Sequence, residues 1–320
     1  MGYGFVGFVG IAKESTWGTP VAVASGDFIE ALSENLTLVI DRFDTRNIAG
    51  KYSEPDDTTG LRRVEGELVA MGHPHYFGYF LRGLTNSGSI SVVLSGFLWK
   101  HTYLTPTADA STLAPVPSYT VEVFRDVTSA HRYAGAVFNR GVLAVQPNQD
   151  LRTTLSVIAK TSSVISKSTP TYTTSPVDPF TFDSCSVSIA GAATPYVEGL
   201  TLTLDNQLVA VNALANTNEV VAIKRNGPQL SLLAGTFTFE NLTEYNAFVQ
   251  QSEQAWKIAF FRAQSFALVF DFPRVIYTAH PLGVPGRERL TVAFEAKARY
   301  HAGSLTAYQI DLTNTKSSYA

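Results

Sequence analysis

The chain has 320 residues, of which 45% are hydrophobic and 16% charged, and Cys185 is its single cysteine. This length and apolar content predict about two ordinary domains with buried cores and exclude a disordered or fibrous protein. The net charge of −3 lacks the basic excess that tight binding to nucleic-acid phosphates requires. One cysteine can form neither an intramolecular disulfide nor a CxxC metal site, so stability must come from packing and assembly.

The chain begins with a glycine-rich segment, and residues 2–7 match the GxGxxG spacing of dinucleotide-binding loops. That fingerprint needs a preceding strand and a following helix, and neither is predicted here. The apolar stretch 5–11 is too short to span a bilayer and is interrupted by glycines. We therefore expect a flexible N-terminal arm at residues 1–25, and neither a signal peptide nor a membrane anchor.

Short runs in which apolar and polar residues alternate dominate the sequence and predict half-buried strands of antiparallel sheets. The fold class is therefore mainly β. The clearest predicted strands are residues 36–40, 119–124, 151–158, 200–204, 231–239, 266–270 and 290–294.

Two short helices are predicted. The first covers residues 74–84, where Pro74 suits the first helical position. The second covers residues 242–255, where Asn241 is the expected cap and Glu244 completes a capping box. A long surface loop is predicted at residues 101–117, which are rich in Thr, Ala and Pro.

Three matches in the same order indicate an internal duplication. They comprise one strand, one strand–helix spacing and one final strand: residues 34–41 with 198–205, Gly66 and Tyr76 with Gly235 and Tyr245, and 154–160 with 291–297. We therefore predict two similar β-sandwich or barrel domains with one short helix each. Their predicted bounds are 26–160 and 181–310, joined by a linker at 161–180 and followed by a tail at 311–320.

Each half has a long polar segment after its first strand, at residues 42–63 and 206–229. Long segments at equivalent places are more often interaction surfaces than passive connections. The candidate contact residues in them are Arg46, Lys51, Asp56, Asp57, Asn216, Glu219, Lys224 and Arg225.

No catalytic or metal-binding constellation is recognisable. His73 and His75 have an HxH spacing, but the adjoining helix offers no further ligand. The other histidines have no nucleophile and orienting acid nearby in sequence, as a triad would need. The sequence predicts a protein that is not an enzyme and has no cofactor or metal.

Four segments carry a resemblance to a known family. They are GIAKESTWGTP at 10–20, PSYTVE at 117–122, FPRVIY at 272–277 and EAK at 295–297. The chain resembles the tail tube proteins of long-tailed bacteriophages with non-contractile tails, the siphophage type.

The resemblance implies a structural protein of the virion tail, assembled in the host bacterial cytoplasm. Its rings would stack around a tape-measure protein and later enclose the passing double-stranded DNA, and tail terminator and distal tail proteins would cap the tube. Two tube-like domains in one chain would give a trimeric ring with approximate sixfold symmetry. The long loops would contact the next ring, and an arm carrying Phe5, Phe8 and Trp17 would reach a neighbouring subunit.

Two alternatives stay open at this point. A tail terminator or distal tail protein would share the fold but would not polymerise. A carbohydrate-binding β-sandwich module would use aromatic side chains such as Trp17, Trp99 and Trp256 to stack on sugars. An enzyme ranks third and would require His73 or His131 to meet partners that are distant in sequence.

Overall fold

A computed structural model describes residues 3–44, 57–86, 90–105, 116–126, 128–172, 178–194, 196–262, 266–284 and 286–319. Within these residues the protein is mainly β, as predicted, with two α-helices. The elements in chain order are β1 Phe8–Lys13, β2 Phe28–Ile29, β3 Ala31–Glu34, β4 Thr37–Asp44, β5 Asp57–Met71, α1 Phe77–Thr85, β6 Ile90–Ser95, β7 Leu98–Leu104, β8 Tyr119–Phe124, β9 Ser129–Val145, β10 Arg152–Ala159, β11 Thr161–Ser166, β12 Cys185–Ile189, β13 Ala192–Ala193, β14 Val197–Asp205, β15 Leu208–Val211, β16 Ala222–Arg225, β17 Leu230–Thr238, α2 Thr243–Val249, β18 Gln254–Arg262, β19 Phe266–Ala279, β20 Thr291–Ala298 and β21 Gln309–Asn314.

Both predicted helices are present with different bounds. The N-cap of α2 is Leu242 rather than the predicted Asn241, although the Thr243 N–H donates to Asn241 Oδ1 at 2.8 Å. The capping box does not form, because the Glu244 carboxylate accepts a 2.5 Å hydrogen bond from the Tyr277 hydroxyl instead. Helix α2 ends at Val249 rather than at residue 255, since β18 begins at Gln254 and pairs with β19.

Several segments expected to be irregular contain strands. Residues 101–104 of the predicted surface loop belong to β7, which pairs with β21. The predicted arm contains β1, the predicted linker β11 and the predicted tail most of β21. The segment 42–63 is likewise β-structured at both ends, and 206–229 contains the β15–β16 hairpin. Edge pairing to a neighbouring strand accounts for these differences, because Ser- and Thr-rich residues suit a half-buried strand once a partner is available.

The strands of the two halves are connected in the same order. In the first half (residues 3–172), β4, β5, β10 and β9 are successive antiparallel neighbours, and α1 follows β5. In the second half (residues 178–319), β14, β17, β20 and β19 follow one another in the same way, and α2 follows β17. The first residues of β9 also pair with β8 and β11, as the first residues of β19 pair with β18 and β21. This shared order agrees with the predicted duplication, which itself stays a prediction.

The two halves are joined by direct strand pairing. Strand β9 pairs with β14 over six residues, from Val145 opposite Leu200 to Arg140 opposite Asp205. The buried Asn206 side chain donates from Nδ2 to the carbonyl oxygens of Phe138 (3.0 Å) and Gly83 (3.3 Å). Eight strands of both halves thus form one open sheet, which runs β4–β5–β10–β9–β14–β17–β20–β19.

The C-terminal tail of the second half covers helix α1 of the first. The Tyr319 ring is fully buried against Gly78, where a Cβ would overlap it. The Tyr319 hydroxyl donates to the His75 carbonyl at 2.7 Å, and the Arg82 guanidinium donates to the Tyr319 carbonyl at 2.8 Å. The hydrophobic core is accordingly continuous, with members from both halves.

A buried carboxylate fixes the point where β9 bends. Gly135 has φ +69° in the middle of β9, and its N–H donates to Glu14 Oε1 at 2.8 Å. Glu14 also accepts hydrogen bonds from the hydroxyls of Ser118 and Thr120 and from the Gly18 N–H. Four donors from three chain segments therefore converge on one side chain that is 5% exposed.

We expect Glu14→Ala to destabilise the monomer by roughly 3 kcal/mol or more, because each buried donor left without a partner costs about 1–3 kcal/mol. Urea unfolding measures the difference. Glu288→Ala is the matched control, since Glu288 is exposed in the connection before β20. A loss below about 1 kcal/mol for Glu14→Ala would show that the convergence on Glu14 does not hold the bend.

Candidate assembly interface

The open sheet has one free edge at β4. Among the described residues, β4 pairs with β5 alone. Leu38 and Ile40 point to the core side, but they are 39% and 40% exposed. Their counterparts in the predicted repeat, Leu202 and Leu204 of β14, are 3% and 0% exposed. The same motif is therefore buried where β9 lies beside it and exposed where no strand does.

The opposite edge of the sheet ends at β19 and β20. Strand β9 covers β10 along nearly its whole length, whereas β19 pairs only with residues 295–298 of β20. Beyond Ala279 the chain leaves the strand conformation, and Leu282 and Val284 are exposed. Residues 291–294 of β20 thus have β17 on one side and, in the described part of the chain, no strand on the other.

One face of the eight-stranded sheet packs on the core, and we call the other the open face. Residues directly opposite in an antiparallel pair share a face, so the register places both charge signs there. The charged residues on the open face are Arg63, Glu65, Glu67, Arg140, Arg152, Asp205, Glu295 and Lys297. Ion pairs offset part of this charge, since Arg63 contacts Glu65 at 2.6 Å and Asp41 at 2.8 Å.

The predicted stacking residues fall into three groups. Arg46, Lys51 and Asp56 lie outside the described residues. Asp57 is exposed and pairs with Arg42 at 2.8 Å, an interaction that lowers the pKa of the Asp57 carboxyl. Asn216, Glu219, Lys224 and Arg225 belong to the β15–β16 hairpin and its connection, which contains the fully exposed Leu214.

That hairpin contacts the first long segment within the chain. The Arg62 N–H donates to the Asn218 carbonyl at 2.6 Å, and Arg62 and Glu219 form a parallel bridge. Arg225 turns inward, donating to Asn206 Oδ1 at 3.3 Å, and burial lowers the pKa of its guanidinium. Asn216 and Lys224 remain exposed, and Glu219 is half-buried.

The three predicted arm residues differ in environment. Phe5 is 87% exposed on a 3-10 turn, Gly4–Val6. Phe8 is buried with Phe28, Phe124 and Ala130 in a small separate cluster. Trp17 is half-buried, donates from Nε1 to the Gly135 carbonyl at 3.2 Å and lies 5.0 Å below the Lys160 ammonium. Only Phe5 is largely free for a contact with another chain.

The side chains considered for chemistry occupy structural positions. His73 and His75 are buried in the turn before α1, and burial together with His73 lowers the pKa of His75 to about 4. Burial raises the pKa of the Cys185 thiol to about 12, which disfavours the nucleophilic thiolate. Among the described residues no group of three or more His, Cys, Asp or Glu is placed to hold a metal ion. No described helix is long and apolar enough to cross a membrane.

The residues that the sequence analysis missed are those at the sheet edges and at the junction of the halves. Leu38 and Ile40 lie in the segment 34–41, which matches 198–205 in sequence. The match predicts a strand in both places but does not show that Leu38 and Ile40 are exposed while Leu202 and Leu204 are buried. Asn206 and Gln229 belong to no recognisable sequence motif. At the junction of the halves, however, the Gln229 amide donates to the Leu84 carbonyl at 2.6 Å. Trp256 is fully buried, which removes it as a sugar-stacking platform.

Comparison with known proteins identifies the family. The chain matches a family model described as "Phage tail tube protein" over residues 4–296. No curated protein matches the chain. The family match spans both halves of the open sheet, from the 3-10 turn of the arm to β20. The chain therefore belongs to the phage tail tube protein family, whose members are structural components of the virion tail.

Proposed function

We propose that three copies of this chain close into a ring of approximate sixfold symmetry, and that such rings stack into a siphophage-type tail tube. The observation that carries the proposal is the β9–β14 junction, which already joins two similar sheets edge to edge within one chain. Three chains with two sheets each supply the six sheets of a closed ring, provided that the junction recurs between copies.

The free edges have the chemistry that such a junction requires. The β4 edge would take the place of β14, and the 280–284 segment beside β20 would take the place of the end of β9. Closing the ring pairs two free strand edges per chain. Unpaired edges of this kind otherwise pair with other chains and cause aggregation. Completing the burial of a partly exposed Leu or Ile contributes roughly 1 kcal/mol, so Leu38 and Ile40 favour closure at all three junctions.

The open face is the proposed channel wall. It carries charges of both signs, several of them paired, and the whole chain has a net charge of −3. A wall of this kind does not hold phosphates through counterion release, so DNA can slide past it. The tape-measure protein would occupy the channel first, and tail terminator and distal tail proteins would cap the ends of the tube.

Ring size is tested by native mass spectrometry together with negative-stain microscopy of the purified protein. We expect three chains per ring, sixfold features in class averages, and stacks of rings at high concentration. Six chains per ring would contradict the trimer, and rings that never stack would favour a terminator or distal tail protein.

The β4 edge is tested with Ile40→Lys. A charged side chain at this site opposes burial against a neighbouring sheet, so we expect ring formation to need at least tenfold more protein, about 1.4 kcal/mol per junction. The stability of the monomer should change little, because Ile40 is already partly exposed. Val164→Lys on the exposed β11 is the matched control and should assemble normally. Equal assembly of the two variants would exclude the β4 edge from the interface.

The stacking loop is tested with Leu214→Asp. Leu214 makes no buried contact in the monomer, so folding and ring formation should be unchanged. Contact with the next ring would bury a carboxylate, and we expect at least a tenfold loss of tube formation, measured by light scattering and microscopy. Tubes of normal length and yield would show that this connection does not touch the next ring.

A further inference from the structure

In the single chain the N-terminal arm exposes an aromatic side chain, and a pocket in the second half is not filled by any described segment. We propose that the arm of one copy, Tyr3–Gly7, docks on the β17–α2 connection of the preceding copy and inserts Phe5 beside His280. This inference rests on the proposed ring and names a contact that would lock each junction.

The second half contains a segment of the same build as the arm. In the first half, the 3-10 turn Gly4–Val6 precedes β1, which pairs with β8. In the second half, the 3-10 turn Phe182–Ser184 precedes β12, which pairs with β18. Both segments bring aromatic side chains to the start of a strand in the same position of its sheet.

The segment of the second half is docked on the first half. The Phe180 N–H donates to the Gly72 carbonyl at 2.9 Å, and the Phe180 carbonyl accepts from the Leu151 N–H at 2.8 Å. The Phe180 ring is fully buried, 5.9 Å from Phe260. The receiving site is the connection between β5 and α1, next to the start of β10.

The equivalent site in the second half is empty of any such segment among the described residues. The spacing that aligns Gly66 with Gly235 places Asn241 opposite Gly72. Beside Asn241 lies a pocket of about 210 Å³, lined by Phe237, Glu240, Thr243, Glu244 and His280. Tyr196, which also lines the pocket, is exposed.

His280 is a buried polar side chain of this pocket whose ring nitrogens lack partners. Its side chain is 5% exposed, and neither ring nitrogen has a hydrogen-bond partner. The rings of Phe237, Tyr277 and Phe248 surround it. A buried polar group without a partner costs about 1–3 kcal/mol, which a backbone N–H or carbonyl from an incoming segment would recover.

The arm has the matching properties. Phe5 is 87% exposed, and a Cβ at Gly4 would meet no atom within 4 Å, so the backbone can approach another surface closely. Within its own chain the arm is tied to the first half, since the Tyr3 N–H donates to Asp126 Oδ2 at 2.8 Å. In a ring that repeats the β9–β14 junction, the first half of the next copy follows the second half of this one. The arm that reaches the pocket is therefore the neighbour's.

A disulfide experiment tests the contact, because Cys185 is the single native cysteine and Cys185→Ser provides a thiol-free background. One population carries Phe5→Cys and a second carries Glu240→Cys, on the exposed rim of the pocket. The two are mixed, assembled and oxidised. We expect a reducible covalent dimer of the two populations, and covalent trimers when both substitutions are in one chain.

The matched control replaces Phe5→Cys by Phe97→Cys, since Phe97 is also 87% exposed but lies on the β6–β7 turn. Cross-linking at least tenfold above this control supports the docking. Rings that form normally but cross-link no more than the control would overturn the docking and leave the proposed function intact. Failure of the unsubstituted protein to form rings would overturn both.

Discussion

The β9–β14 ladder is the interaction on which the rest of the structure depends. It converts two four-stranded sheets into one surface of eight strands, and it places Asn206 where one amide satisfies carbonyls of β9 and of α1. Leu202 and Leu204 of β14 are buried beside β9, whereas Leu38 and Ile40 at the same positions of β4 are partly exposed. The neighbouring strand therefore contributes to the burial of β14 in addition to the strand's own sequence.

The two halves look alike in strand order and differ in what covers them. Helix α1 is buried beneath β7 and the C-terminal tail, whereas Val249 of α2 and Leu242 just before it are exposed. Phe180 and Tyr319 of the second half cover the first half together with its own strand β7. Among the described residues no corresponding segment covers α2, and in the proposed ring a neighbouring copy would supply that cover.

The alternation of residues was sufficient to predict the β class and the full extent of β8, and the Pro74 and Asn241–Glu244 signals located both helices. It failed for segments without a clear alternation whose strands pair with distant partners: β7 pairs with β21, and β11 pairs with β9. The exposed strand edge could not be predicted from the sequence. Leu38 and Leu202 occupy the same position of the same motif, so no local pattern can tell the exposed one from the buried one. Glu14 lies in the segment 10–20, one of those that resemble the family. The sequence does not show what Glu14 does there, because its four hydrogen-bond donors come largely from distant parts of the chain.

Strand β9 runs unbroken for 17 residues and belongs to two sheets at once, pairing with β8 and β11 before its bend and with β10 and β14 after it. Strand β19 likewise changes partners along its length, pairing with β18 and β21 over its first residues and with β20 over its last. A displacement of one set of partner strands is therefore transmitted to the other set along the covalent backbone of a single strand rather than through a loop. In β9 the hydrogen bond from the Gly135 N–H to Glu14 lies where the two sets meet, so this one carboxylate couples the two parts of the first half mechanically.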